Sequence, residues 1–142
     1  MNISTKGRYG LRAMLDLASH YQDEKPVTLS SIAKRQRISE GYLEQLMMLL
    51  KKHHLVTSVR GAQGGYLLSR PPAEITAGDV YRSLEGPVIL ADCVVISDPL
   101  YGCNIINTCA SRSLWCRLQS SIDEVLNAYT LADLLKDPKI DQ

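Results

Sequence analysis

The sequence predicts a mainly α-helical fold with one small β-hairpin, arranged as a winged helix-turn-helix followed by a long C-terminal helix. Three observations predict it. Apolar residues recur at helical spacing along most of the chain, two short helical runs meet at a brief break, and a β-rich stretch surrounds a glycine-rich turn. With 45% hydrophobic residues in 142, there is enough apolar material for a real core, in one domain or in a compact domain with an appended helix.

Each element follows from local signals. Leu11, Met14, Leu15, Ala18 and Tyr21 share a helix face behind Ser4, a good N-cap, which places a first helix at roughly 5–22. Thr28 then leads into Leu29, Ile32 and Ala33 on one face, with Lys34, Arg35 and Arg37 on the other. Ile38-Ser39 interrupts, and Leu43, Leu46, Met47 and Leu50 mark a second run over about 40–53. Two short helices joined in this way are a helix-turn-helix, the second in the reader's place. The runs Leu55–Arg60 and Tyr66–Ser69 flank Gly61-Ala62-Gln63-Gly64-Gly65 as a hairpin, the wing. After Pro71-Pro72, Thr76 caps a helix through Val80 and Leu84, with Asp79 in its first turn. Residues 86–108 read as a loop. Leu114, Leu118, Ile122, Val125, Leu126 and Tyr129 then mark a long amphipathic helix, and Thr130 opens a last one bearing Leu131, Leu134 and Leu135.

Charge and cysteine are both unevenly placed. Residues 1–70 carry eleven Lys/Arg against five Asp/Glu, and residues 71–142 carry five against ten, so the net +1 conceals a basic half and an acidic half. A basic half of this kind suits nucleic acid, and the other half suits sensing or assembly. All four cysteines, Cys93, Cys103, Cys109 and Cys116, fall in one 24-residue window. No apolar run approaches the roughly 18 residues that span a bilayer, and Met1–Lys6 lacks a signal's apolar core, so the expected compartment is the cytoplasm and no membrane partner is expected. There thiols stay reduced, which favours metal binding or redox sensing over structural disulfides. Enzyme chemistry is poorly supported, because neither a nucleotide loop nor a Ser/His/Asp arrangement is present.

Four segments carry a resemblance: Ser4–Gly10, Ser39–Leu46 with its Tyr42-Leu43-Glu44-Gln45, Ser58–Tyr66 with its Arg60-Gly61-x-x-Gly64-Gly65-Tyr66, and Ile75–Asp79. Together they resemble the bacterial winged-helix family of the iron–sulfur cluster regulator IscR, the nitric-oxide sensor NsrR and the cysteine-metabolism repressor CymR. The resemblance covers nearly the whole chain. It implies a DNA-binding transcriptional regulator, a homodimer whose long helix near 111–129 crosses its two-fold mate. The implied division is a winged helix-turn-helix domain at 1–86, a cysteine-bearing cluster loop at 87–110, and a dimerisation helix with a C-terminal helix at 111–142.

A helix-turn-helix reader sets its N-terminal residues against base edges, which nominates Thr28, Ser39, Glu40, Tyr42, Glu44 and Gln45 for DNA contact, since hydroxyl, amide and carboxylate groups pair with bases. Lys51 and Lys52 suit phosphates. Glu44 is set apart, because a carboxylate beside phosphates costs binding unless it accepts from a cytosine amino group or rejects other bases. Arg60 at the wing's turn suits an A/T-rich minor groove, and Gly61, Gly64 and Gly65 would let backbone approach a phosphate. The expected partner is double-stranded DNA with a pseudo-palindromic operator, because two readers meet major grooves about 34 Å apart.

The thiol spacings, x9, x5 and x6, include no tight C-x2-C chelate, so spacing alone establishes no metal. By resemblance, Cys93, Cys103 and Cys109 match the order of the family's three cluster cysteines, which implies an iron–sulfur cluster of 2Fe-2S type. The chain departs from that pattern in three places. Nine residues, including Val94-Val95-Ile96 and Pro99-Leu100-Tyr101, separate Cys93 from Cys103. Arg112 stands where the resemblance places a histidine ligand, and Arg8 where some relatives carry an acidic one; a guanidinium cannot coordinate iron. The fourth ligand is open. Cys116 serves only if Cys109 precedes the long helix, because seven helical residues span about 10.5 Å; otherwise Cys116 is a small apolar residue of the dimer seam, and Asp92, Asp98 or a group from the partner chain would complete the set. The alternatives are a metal-free regulator controlled by a partner protein or thiol oxidation, and a nitric-oxide sensor.

Overall fold

The computed structural model describes residues 2–95 and 103–137. Its elements are α1 (Thr5–Ser19), α2 (Leu29–Gln36), α3 (Glu40–Lys52), β1 (Val56–Val59), β2 (Gly65–Leu68), α4 (Ala77–Glu85), α5 (Asp92–Val95), α6 (Arg112–Ala128) and α7 (Leu131–Lys136), with single 3-10 turns at Tyr21–Asp23 and Pro72–Glu74. The fold is therefore mainly helical with one antiparallel hairpin, as expected.

Local hydrogen bonds explain the starts. Ser4, Thr28, Ser39, Thr76 and Thr130 each accept, through the side-chain oxygen, the backbone N–H three residues on, satisfying a donor that the first helical turn cannot. At Thr76 and Thr130 the carboxylates of Asp79 and Asp133 return the bond to the cap's own N–H. Two elements differ from the sequence reading. The first helix stops at Ser19, not near 22, because His20 leaves the helical conformation and Tyr21–Asp23 tightens to a 3-10 turn ending in left-handed Glu24. The stretch read as a loop from 86 to 108 contains the short α5, which lies against α6. Within it Asp98 and the apolar Pro99-Leu100-Tyr101 fall outside the described residues.

Met14, Ile32, Leu43, Leu46, Met47, Leu50, Val56, Ile75, Val80 and Leu131 form the centre of one core. Leu131 belongs to α7, so the chain's last described helix returns to pack on α1. A bridge between Thr76 and Thr130 aligns this return, and Ala77 N–H donates to the Tyr129 carbonyl at 2.8 Å. The hairpin pairs Val56 with Leu68 and Val59 with Gly65. A second bridge, Val27 with Tyr66, ties β2 to the chain just ahead of α2, so the wing is anchored to the helix-turn-helix.

By contrast, α6 leaves the core. Its one buried residue is Gln119, while Leu114, Leu118 and Val125 are exposed. No helix among the described residues is long and apolar enough to cross a membrane.

Candidate nucleic-acid interface and thiol segment

The reader geometry begins at the turn between α2 and α3. Arg37 adopts a left-handed conformation (φ 54°, ψ 49°), Ile38 is buried with its N–H on the Ala33 carbonyl at 3.0 Å, and Ser39 starts α3. The inward face of α3 is filled by Leu43, Leu46, Met47 and Leu50. Its outward face then presents Glu40, Gly41, Glu44, Gln45, Met48, Lys51 and Lys52, all exposed. Glu40, Glu44 and Gln45, which the sequence nominates for DNA contact, are thus exposed on the outward side of α3.

Other nominated residues also make contacts within the molecule. Tyr42 is half-buried against the core, its ring edge-on to Tyr9 with centroids 6.1 Å apart. Arg12 lies over the other ring of that pair, 5.0 Å from the Tyr9 centroid. Thr28 and Ser39 spend their oxygens as caps, at 3.2 Å from Ser31 N and 3.3 Å from Tyr42 N; both remain exposed and keep a hydroxyl proton to donate.

In the wing, Arg60 is exposed at the mouth of the turn, and Gly61 (φ 113°) has open space where a side chain would begin. Gly64 and Gly65 answer to an internal need. A side chain on Gly64 would meet the Val59 carbonyl, and one on Gly65 the Val27 backbone, so both permit the close turn and the Val27 bridge. Lys51, exposed on the same helix, donates from Nζ to Ser58 Oγ at 2.6 Å, across from the reader to β1, and keeps two further N–H donors. Glu44 faces the wing closely enough that its carboxylate, after burial, is the second cause pushing the Tyr66 phenol up.

Beneath the reader, α1 grips α2. Asp16, whose side chain is 3% exposed, accepts Arg35 Nε at 2.9 Å, Arg35 Nη2 at 2.7 Å and Gln36 Nε2 at 3.0 Å. Burial pushes this carboxyl up, but the bonds from Arg35 and Gln36 outweigh it and hold it below the usual carboxylate range. Arg12 caps the same helix by donating to the Gln36 carbonyl. The clamp has no sequence signature beyond charge, since Asp16 and Arg35 stand 19 positions apart on different helices.

The thiol segment is tied to α6. Gln119 donates to the Val88 carbonyl at 2.7 Å and accepts Leu90 N–H at 3.1 Å, and Arg112 Nε donates to the Cys93 carbonyl at 2.8 Å. All four cysteines are free; Cys103 is exposed and the others half-buried. Cys109 precedes α6 by three residues, which meets the condition the sequence sets for Cys116 to act with it. Cys109 Sγ lies 3.1 Å from Ser111 Oγ; that hydroxyl first, then the backbone of Arg112 and Ser111 and the Arg112 charge, lower its thiol below the ordinary value. Among the described residues no three His, Cys, Asp or Glu side chains converge as a metal site.

A buried helix-turn-helix core, a hairpin anchored beside the reader and an exposed polar reader face define a winged-helix DNA-binding protein. The chain belongs to the Rrf2 family, described as iron-dependent transcriptional regulators, whose pattern matches residues 3–137. It is 46% identical over 134 residues to the transcriptional regulator CymR of Bacillus subtilis, covering 94% of this chain and 89% of that one. It is 42% identical over 140 residues to IscR of Yersinia pseudotuberculosis, covering 99% and 82%. The solved structure of T. potens IscR superposes with a TM-score of 0.77 at 46% identity, covering 100% of this chain and 93% of that one. These relatives are regulators of transcription, and this chain is one of their family rather than an enzyme.

Proposed function

We propose that the chain is a cytoplasmic homodimer that binds a pseudo-palindromic operator and whose DNA affinity is set by an iron–sulfur group, of 2Fe-2S type, on Cys93, Cys103 and Cys109. The observation that carries the sensing half is placement: three free thiols stand outside the core on the one segment that Gln119 and Arg112 fasten to α6. The iron-dependent family and the similarity to IscR support it. The exposed Leu114, Leu118 and Val125 support the dimer, because an apolar helix stripe of this kind is normally covered.

The donors fit such a group in chemistry, since soft thiolates suit iron–sulfur clusters and the Cys109 thiol is already biased toward thiolate. Arg112 does not fit as a fourth ligand. Its Nε is given to the Cys93 carbonyl, so its role is to hold the segment on the helix. Cys116, Asp92 and Asp98 stay as candidates beside a partner-chain group. When bound, a cluster supplies a cross-link on this segment whose occupancy depends on iron, sulfide and oxidants. The chain's own residues transmit the segment's position: Gln119 and Arg112 to α6, and α6 to the α4 and α7 ends through the Thr76–Thr130 bridge.

A second reading, a metal-free regulator governed by thiol oxidation or a partner protein, is favoured by the Ser111-assisted Cys109 and by the similarity to CymR. Anaerobic reconstitution separates the two. Stoichiometric iron and sulfide, lost on replacing Cys93, Cys103 or Cys109 with Ala while the fold persists, supports the cluster; their absence from the wild type leaves the metal-free regulator.

A further inference from the structure

We infer that Met48 is a sequence-determining contact of the reader helix, its side chain closing on the C5-methyl group of a thymine in the major groove; this rests on α3 being the DNA reader. At 65% relative exposure Met48 is the most exposed large hydrophobic side chain among the described residues. The core does not account for it. The inward positions of α3 are already taken by Leu43, Leu46, Met47 and Leu50, and helical period assigns position 48 to the outward face, where polar residues are the norm.

That face is a line. Gly41, Glu44 with Gln45, Met48, then Lys51 with Lys52 follow one another at spacings of three and four, all exposed. Met48 sits about 6 Å beyond Glu44 along the helix axis, within about two base steps of 3.4 Å. Its neighbours on one side are carboxylate and amide groups suited to base edges, and on the other lysines. An apolar group between them has one apolar feature to meet on base edges in the major groove, the thymine methyl. The thioether chain is unbranched and adaptable, so it can reach that methyl without a fixed backbone distance.

The test uses the full-length wild-type protein and an operator enriched from a random DNA pool. Each thymine is replaced in turn by deoxyuridine, which lacks only the methyl. At one position per half-site the wild type should lose about fourfold in affinity, the worth of one buried methyl-sized group. Met48→Ala should be indifferent at that position and respond like the wild type elsewhere, while Met48→Leu should regain the sensitivity. The thermal midpoint and the salt slope of binding should not move in Met48→Ala, because the side chain neither fills the core nor neutralises a phosphate. An operator at which wild type and Met48→Ala respond alike to every substitution overturns the inference, as does a consensus with no thymine under the reader. Failure to enrich any sequence overturns operator reading itself, a distinct result.

Discussion

Lys51 at the end of α3 and Ser58 on β1 are joined by a 2.6 Å hydrogen bond, so reader and wing are linked by a side chain as well as by the chain between them. Lys51→Met and Ser58→Ala should each weaken operator binding modestly, with a coupling of about 0.5–1 kcal/mol in the double variant. The salt slope should stay as in the wild type. A fall of about 0.9 in that slope for Lys51→Met would instead mark a phosphate contact.

Asp16 should carry both stability and its pH dependence. Asp16→Asn should cost about 2 kcal/mol, within the range for hydrogen bonds to a charged group and below that of a wholly buried pair, because Arg35 stays partly exposed. The folded carboxyl lies below its ordinary value of about 3.9, so the contribution is complete above that pH and is lost as pH falls through the folded value. Acid unfolding followed by circular dichroism should be less steep in the variant below about pH 4.

Two glycines should respond with opposite sign. Gly65→Ala should destabilise by more than about 1 kcal/mol, since φ is 154° and a side chain there meets the Val27 backbone. Gly41→Ala, in the first turn of α3 with open space around it, should stabilise by up to about 1 kcal/mol. Denaturant melts of the two variants decide both.

On DNA, Glu44→Ala should bind a broader set of operators with thermal stability changed by less than about 0.5 kcal/mol, as an exposed carboxylate that rejects bases would. Arg60→Ala should bind less tightly and lose preference for A/T flanks. Selection from a random pool reads both; an unaltered consensus removes the residue concerned from sequence reading.

Leu118→Asp should convert the protein to a monomer in sedimentation and reduce operator affinity by at least tenfold, because a charge at the centre of an apolar stripe on α6 opposes its burial. An unchanged dimer would move the interface off this helix.

The sequence by itself determined the order of the main helices and the hairpin, though not the short α5 in the stretch read as loop. Caps at Ser4, Thr28, Ser39, Thr76 and Thr130, the break at Ile38-Ser39 and the glycine-rich turn act through hydrogen bonds and backbone preferences spanning four residues or fewer, which local reading captures. The outward placement of Glu44 and Gln45 was legible for the same reason, as helix period puts them off the buried face of Leu43, Leu46, Met47 and Leu50. Tertiary structure decided the rest. Which way Tyr42 turns depends on Tyr9, 33 positions earlier, and Gly65 is required by the Val27 backbone that bridges to Tyr66. The Asp16–Arg35 clamp, the Lys51–Ser58 link and the hold of Arg112 on the Cys93 carbonyl join different elements. Such contacts depend on how elements cross, and crossing is set by the whole core at once, so no window of sequence contains them.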